Sequence, residues 1–155
     1  MRVVIVQTED ELKVCLDIRR RVFVEEQQVP IEEEIDDQDA VGVGHHVYIE
    51  DENGRPVATA RYKPYGDVHG GTAKIQRVAV LRSYRKGGYG RAVMAAIEAL
   101  ALADGFNRAV LDAQCHAEGF YHKLGYCTVS DEPFYDAGIL HVRMEKALRQ
   151  APVAR

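Results

Sequence analysis

The stretch LRSYRKGGYGRAVMAAIEAL, which runs from Leu81 to Leu100, carries more structural information than any other part of this sequence. An apolar run leads into a basic, glycine-rich turn, and a helical pattern of apolar residues follows the turn. The first N–H groups of a helix have no intrahelical acceptor, and the helix dipole adds partial positive charge there. Glycines let several such N–H groups converge on one anion. Because Arg85 and Lys86 add two cations, the turn predicts a diphosphate site rather than a carboxylate site.

Three phosphate-binding motifs compete for this turn. The dinucleotide fingerprint GxGxxG fails because Val93 stands where a third glycine is needed after Gly88 and Gly90. The ATP-type loop GxxxxGK[ST] does not occur in the chain. The motif that remains is Arg/Gln-x-x-Gly-x-Gly/Ala, which residues 85–90 (RKGGYG) satisfy.

Four blocks of sequence together resemble the GCN5-related N-acetyltransferase superfamily. RVAVLRSYRKGGYGRAVM (77–94) is similar to its acyl-CoA strand, pyrophosphate loop and helix, and LDAQCHAEGFYHKLGY (111–126) to its next strand and tyrosine-bearing helix. RRRVFVEEQQVP (19–30) and DAGILHVRMEK (136–146) resemble the two ends of a small bacterial branch of uncharacterised acetyltransferases. The resemblance implies an α/β fold with a central mixed sheet of six to seven strands flanked by about four helices.

The pattern of secondary structure leads to the same fold class. Thr8 and Glu11 form a predicted capping box at the start of the first helix. The order is β-α, then a β-meander, then β-α-β-α-β-β, which predicts a mixed sheet with helices on its faces. The predicted strands are 2–7, 45–50, 56–63, 72–81, 109–113, one near Tyr126 and 139–146, and the later helices are 88–103 and 117–124. The alternation of apolar residues slips between Ile75 and Val78, so this strand either contains a bulge or is buried on both faces.

The resemblance also implies which residues contact acetyl-CoA, the expected co-substrate. The strand backbone at 78–80 receives the pantetheine arm, the turn receives the diphosphate, and Gln114 replaces an asparagine that is common in the superfamily. The implied contact residues are Val78, Ala79, Val80, Arg85, Lys86, Gly87, Gly88, Tyr89, Gly90, Arg91, Gln114 and Tyr121.

Two residues are candidates for the chemistry. Tyr121 matches the family tyrosine, whose phenol protonates the departing thiolate or hydrogen-bonds its sulfur. In 139–144, Leu140, Val142 and Met144 form the predicted core face, so His141 faces away toward a cleft or solvent. An imidazole suits proton abstraction at neutral pH, and a related glyphosate-acetylating branch has a histidine base at the matching place. An ordinary strand histidine remains the alternative.

Charged residues suggest how an acceptor is recognised. The resemblance implies that Arg19 and Arg77 attract an acceptor carboxylate. Arg19 is equally compatible with a solvated helix position, whereas Arg77 stands within an apolar strand. An acidic run either steers a cationic amine or is simply a solvated face. That run consists of Glu25, Glu26, Glu32, Glu33, Glu34, Asp36, Asp37 and Asp39.

Composition narrows the functional class. The chain has 155 residues, a length that predicts one domain, over 1–148, with a tail at 149–155. Its net charge of -4 predicts no nucleic-acid-binding face. No apolar stretch reaches the length of a membrane span. Cys15, Cys115 and Cys127 suit reduced thiols in a cytoplasmic protein, and neither they nor His45 and His46 have metal-site spacing.

The sequence therefore predicts an acetyl-CoA-dependent N-acetyltransferase that transfers an acetyl group directly to a primary amine of a small molecule. Two alternatives remain, a non-catalytic acyl-CoA sensor or interaction module and a protein or peptide acetyltransferase. We expect no metal, no nucleic acid and no membrane as partner, and a homodimer is common in the resembled family.

Overall fold

The computed structural model describes residues 1–66 and 71–149, and it has an α/β fold. Four α-helices and eight strands occur in the described residues. The helices are α1 (Glu9–Arg19), α2 (Ile31–Glu34), α3 (Tyr89–Ala103) and α4 (Glu118–Lys123). The strands are β1 (Arg2–Ile5), β2 (His45–Glu50), β3 (Pro56–Pro64), β4 (Thr72–Val80), β5 (Arg108–Gln114), β6 (Cys127–Thr128), β7 (Phe134–Asp136) and β8 (Ile139–Ala147).

The chain divides into two compact units, which are described separately below. The first contains Met1–Lys63 and Ile75–Ile97, and the second contains Pro64–Lys74 and the residues from Glu98 onward. A single domain over 1–148 stays a prediction, and the predicted tail lies outside the described residues except for Arg149.

The first unit is built on antiparallel pairing of β1 with β2 and of β2 with β3, and β4 follows β3 in the sheet. One of its buried clusters is apolar and joins α1 to the sheet. The cluster contains Val4, Cys15, Ile18, Val22, Tyr48, Ala79 and Leu81. Because β2 and β3 pair antiparallel, the predicted hairpin of residues 45–63 is confirmed.

The first helix begins where the sequence predicts. The Thr8 hydroxyl accepts a hydrogen bond from the Glu11 N–H at 3.2 Å, and the Glu11 carboxylate accepts one from the Thr8 N–H at 3.1 Å. This reciprocal capping box satisfies two of the free donors at the helix start. The helix continues beyond Arg19 as a π-helical segment, Arg20–Glu26, which the sequence pattern does not reveal.

The predicted irregularity in β4 lies at Arg77. This residue has a φ of +57°, a left-handed conformation that is uncommon for any residue with a side chain. Ala73, Ile75 and Ala79 are buried, whereas Val78 and Val80 are half-buried. The buried residues therefore keep one alternation along the strand, the two faces are not buried evenly, and the irregularity is the left-handed backbone at Arg77.

The second unit is organised around β8. Residues 141–147 of this strand pair antiparallel with the whole of β5, from Arg108↔Ala147 to Gln114↔His141. It also pairs with β7 near its start and with β6 near its end. The strand β7 is absent from the sequence prediction, so the observed count of eight exceeds the predicted six to seven.

Candidate active site

The predicted diphosphate turn connects β4 to α3 in the first unit. A short 3-10 helix, Arg82–Tyr84, follows β4, and Lys86 and Gly88 then adopt left-handed φ values of +68° and +87°. The Gly88 carbonyl accepts the first helical hydrogen bond, from the Ala92 N–H at 3.0 Å. A Cβ at Gly88 would meet no atom within 4 Å. The backbone at Gly88 therefore borders open space, and the first N–H groups of α3 have no intrahelical acceptor.

One cation of this turn, Arg85, is paired with a carboxylate of the protein. Arg85 donates two hydrogen bonds to Glu26, at 2.6 and 2.8 Å, and a third to the Val80 carbonyl at 3.1 Å. The hydrogen bonds from Arg85 lower the pKa of Glu26, so the pair is ionised at neutral pH. Lys86 and Arg91 are exposed. Three cations therefore belong to this turn and the first residues of α3, and one of them is paired with Glu26.

The predicted cofactor residues of the first unit lie in two neighbouring stretches of the chain. Val78, Ala79 and Val80 end β4, and Arg85 through Arg91 follow after the 3-10 helix. The hydrogen bond from Arg85 to the Val80 carbonyl connects the two stretches. Glu26 is not among the predicted contacts of this turn, because an ion pair between residues 59 positions apart leaves no local signal in the sequence.

His141 and Gln114 are directly opposite each other in the second unit, as the last pair of the β5–β8 ladder. The His141 ring stacks on Phe134 of β7, with ring centroids 6.1 Å apart. Its Nδ1 lies 2.7 Å from the Ile139 carbonyl oxygen. Because a carbonyl only accepts hydrogen bonds, Nδ1 carries the proton in the neutral ring, and Nε2 has the free lone pair. Nε2 has no hydrogen-bond partner among the described residues.

The predicted core face of β8 is wrong at Leu140, and of the two surroundings predicted for His141, a cleft or solvent, solvent is wrong. Val142 and Met144 are buried, as expected for the core face, but Leu140 is 39% exposed and His141 only 8% exposed. The strand β7, which the sequence did not reveal, pairs with this part of β8 and covers the histidine with Phe134. His141 is therefore a shielded residue on the polar face, not a solvent-facing one.

Tyr121 belongs to α4 and is buried between aromatic rings. Its ring meets Phe120 and Tyr126 edge-on, with centroids 5.0 and 5.9 Å apart. Burial raises the pKa of its hydroxyl well above the usual value, so the group is a phenol at neutral pH. The hydroxyl has no hydrogen-bond partner among the described residues.

The side chain of Gln114, the residue opposite His141, is hydrogen-bonded to a residue just beyond the end of β5. Its side-chain oxygen accepts a hydrogen bond from His116 Nε2 at 2.7 Å. His116 is the donor in this bond, because an amide oxygen only accepts hydrogen bonds.

Arg19 is engaged by the protein's own acidic residues. Its side chain is 1% exposed and donates to Glu34 at 2.7 Å and to both Asp39 oxygens at 2.6 and 3.0 Å. A further bond reaches the Glu34 carbonyl at 2.9 Å. With four of its five N–H donors occupied, Arg19 anchors the 31–39 segment. This corrects its predicted role as a contact for an acceptor carboxylate.

Arg77 and Arg61 extend the same network. Arg77 donates to the Glu34 carbonyl at 3.1 and 3.0 Å and lies 3.3 Å from the Glu34 carboxylate. Arg61, which the sequence analysis did not single out, donates to Asp36 at 2.6 Å and to Asp39 at 2.9 Å. Three arginines therefore neutralise three members of the acidic run. Neither predicted interpretation of that run, a solvated face or an acidic entrance, holds for Glu34 and Asp39.

Two general properties complete the description. Within residues 1–66 and 71–149, no cluster of three or more histidine, cysteine, aspartate or glutamate side chains is arranged to hold a metal ion. No helix in that part of the chain is long and apolar enough to cross a membrane.

Comparison with known proteins assigns the class. Residues 12–126 match the acetyltransferase (GNAT) family. The matched range includes the glycine turn, β5 and α4. The chain belongs to this family, and it is an acyltransferase with the GNAT fold.

Individual relatives agree with this assignment over nearly the whole chain. The chain is 38% identical over 146 residues to YjcF of Bacillus subtilis, named as an uncharacterised N-acetyltransferase, covering 94% of this chain and 99% of YjcF. A solved acyl-CoA N-acyltransferase from Pseudomonas aeruginosa has 29% identity and a TM-score of 0.78, covering 95% of this chain and 100% of the other. Escherichia coli ElaA has 26% identity and a TM-score of 0.78, covering 94% and 99%.

Proposed function

We propose that this protein transfers the acetyl group of acetyl-CoA directly to a primary amine of a small molecule. The observation that carries the proposal is the start of α3, where the left-handed Gly88 borders open space, the first helical N–H groups lack intrahelical acceptors, and Lys86 and Arg91 are exposed. A diphosphate suits this arrangement, since the helix end and the cations both favour concentrated negative charge. The backbone of residues 78–80 then serves the amide-bearing pantetheine arm, with Gln114 as a further contact.

In the proposed reaction the amine nitrogen attacks the thioester carbonyl carbon of acetyl-CoA. A C–N bond forms, the C–S bond breaks, and the products are an N-acetyl amine and coenzyme A. The attacking nitrogen must lose one proton, which passes to Nε2 of His141. The tautomer supports this role, because the bond from Nδ1 to the Ile139 carbonyl leaves the lone pair on Nε2. The same bond persists in the imidazolium that forms.

Tyr121 acts on the departing sulfur. A phenol whose pKa is raised by burial is a weak acid, so full proton transfer to a thiolate is unfavourable. A hydrogen bond from the hydroxyl to the sulfur stabilises the same charge without that transfer. We therefore assign Tyr121 as the hydrogen-bond donor, and the thiolate takes its proton from solvent.

Binding of acetyl-CoA is tested by calorimetry on Gly88→Val. A side chain at Gly88 enters the open space at the helix start and strains a backbone that favours glycine. Gly105→Val is the matched control, because Gly105 has a φ of +99°, equally open surroundings, and lies beyond the opposite end of α3. We expect acetyl-CoA binding to be lost in Gly88→Val and kept in Gly105→Val. Equal affinities in both variants would remove the turn from the site.

Turnover is tested with a panel of small amines and amino acids, with release of free thiol as the readout. Thiol release that depends on both acetyl-CoA and amine supports the proposal. Tight acetyl-CoA binding without any release would favour the sensor function, and release with peptides alone would favour a peptide acceptor. A cytoplasmic location and a homodimer stay predictions.

A further inference from the structure

The polar face of the β5–β8 pair contains a cluster of charged side chains close to His141. Because side chains alternate along strands, Asp112 and Gln114 of β5 share a face with Arg143 and His141 of β8. Asp112 is opposite Arg143 in the ladder, and Gln114 is opposite His141. Arg143 is two residues from His141 along β8, which corresponds to about 7 Å.

Four side chains form this group, which we call the Lys74–Arg143 cluster: Lys74, Asp112, Arg143 and Tyr65. Arg143 donates to the Asp112 carboxylate at 2.9 and 3.2 Å and to the Tyr65 hydroxyl at 2.6 Å. The Lys74 ammonium lies 3.5 Å from the same carboxylate. Both cations also lie over the Tyr65 ring, each 5.3 Å from its centroid.

The cluster carries more positive than negative charge. Burial alone would raise the pKa of Asp112, but the hydrogen bonds from Arg143 and the charge of Lys74 outweigh it and lower the pKa. The carboxylate is thus ionised at neutral pH, and two cations share it. Lys74 has no other ion-pair partner among the described residues. A purely structural cross-strand pair needs only Asp112 and Arg143, so Lys74 is one cation in excess.

Donors remain available at this excess charge. The Tyr65 hydroxyl accepts from Arg143, which leaves its own proton to donate. Lys74 and Arg143 retain N–H groups beyond those bound to Asp112, and their side chains are 18% and 34% exposed. An incoming carboxylate would meet three kinds of donor on a partly shielded surface, where charge-assisted hydrogen bonds are strong.

We propose that the Lys74–Arg143 cluster binds a carboxylate of the acceptor, so that the acceptor is an amine that also bears an acid group. This inference rests on the proposed acetyl transfer, with the amine near His141 and the acid at the cluster. The Lys74–Arg143 cluster takes the acid-binding role that the sequence suggested for Arg19, since the Arg19 side chain is bound to Glu34 and Asp39.

The test uses straight-chain amino acids with two to five carbons, from glycine to 5-aminovalerate, each paired with its carboxamide. The amide keeps the amine and the size but removes the negative charge. Binding of 5-aminovalerate and its amide is followed by NMR chemical-shift titration of the protein without coenzyme A. We expect the acid to bind about tenfold more tightly, as one or two charge-assisted hydrogen bonds would give.

Lys74→Gln is the test variant, and Lys123→Gln is the matched control because Lys123 is an exposed residue at the end of α4. The preference for the acid should disappear in Lys74→Gln and persist in Lys123→Gln. Retention of the melting temperature by Lys74→Gln is verified first, and Lys74→Arg, which keeps the cation, should restore the preference.

Several outcomes overturn the inference. It fails if neither probe binds, if acid and amide bind equally, or if Lys74→Gln keeps the preference. Failure of the proposed function is separate: no thiol release with any amine would reject acetyl transfer, while an acid preference lost in Lys74→Gln would still establish the carboxylate site. Turnover of amides as efficient as that of acids would leave acetyl transfer standing and reject the site.

Discussion

Asp39→Asn is the substitution that best tests the buried ionic network of the first unit. The Asp39 carboxylate accepts from Arg19 at 2.6 and 3.0 Å, from Arg61 at 2.9 Å and from the Asp36 N–H at 3.0 Å. Its side chain and those of both arginines are almost completely buried. Asparagine keeps the shape, but its amide supplies one uncharged oxygen and an NH₂ group that points donors at a guanidinium.

The expected loss follows from the charges that stay behind. Removing one partner of a buried ion pair typically costs about 3–5 kcal/mol, because the remaining charge has lost its compensation. Here two arginines lose part of their compensation, although Glu34 and Asp36 still contact them. For a chain of this length each kcal/mol lowers the melting temperature by about 2–4 °C, so we expect a drop of about 6–20 °C.

The assay is thermal unfolding followed by circular dichroism, with Asp37→Asn as the matched control. Asp37 is an exposed neighbour, so its substitution should change the melting temperature by no more than about 2 °C, from a surface effect within 0.5 kcal/mol. Equal melting temperatures for the two variants would refute the argument that the network stabilises the fold.

The same network predicts a pH dependence. Burial acts to raise the pKa of Asp39, but the hydrogen bonds from Arg19 and the charges of both arginines lower it well below the usual value. A depressed folded-state pKa stabilises the protein above the unfolded-state pKa of about 3.9, and this stabilisation is lost as the pH falls further. The difference in stability between wild type and Asp39→Asn should therefore be constant near neutrality and shrink below about pH 4.

The remaining predictions concern the proposed reaction. His141→Ala should lower kcat by about a hundredfold or more and keep acetyl-CoA affinity; an unchanged kcat would eliminate the residue as the base. Tyr121→Phe should lower kcat by about tenfold to a hundredfold, the scale of one hydrogen bond to a charged group, and wild-type kcat would exclude that bond. Glu26→Gln should release Arg85 and tighten acetyl-CoA binding by up to about fivefold in calorimetry, the scale of an exposed ion pair; weaker binding would mean that Glu26 positions the arginine.

Local features of the fold were predictable because their causes are local. The capping box of Thr8 and Glu11 involves residues three positions apart, and the hairpin of residues 45–63 follows from alternation around a turn. The glycine turn before α3 was predictable for the same reason, since its conformation and its unsatisfied N–H groups belong to a few consecutive residues. The shift in alternation within β4 likewise indicated the irregularity that the structure locates at Arg77.

Long-range features could not be predicted from these patterns. The strand β7 has three residues, and it is a strand because it pairs with β8. Without β7, nothing in the sequence shows that Phe134 covers His141. The arginine network joins residues 15 to 43 positions apart, so neither the burial of Arg19 nor its partners leave a periodic signal.

The left-handed backbone at Arg77 has a consequence for anyone who redesigns this protein. Glycine is the residue that such a φ favours, so an exchange chosen on backbone grounds alone would place glycine there and recover about 1 kcal/mol of strain. That exchange would also remove the guanidinium that ties β4 to the Glu34 carbonyl. The strained backbone at Arg77 therefore accompanies a side chain that fastens the 31–39 segment, and glycine at this position would relieve the strain at the expense of that attachment.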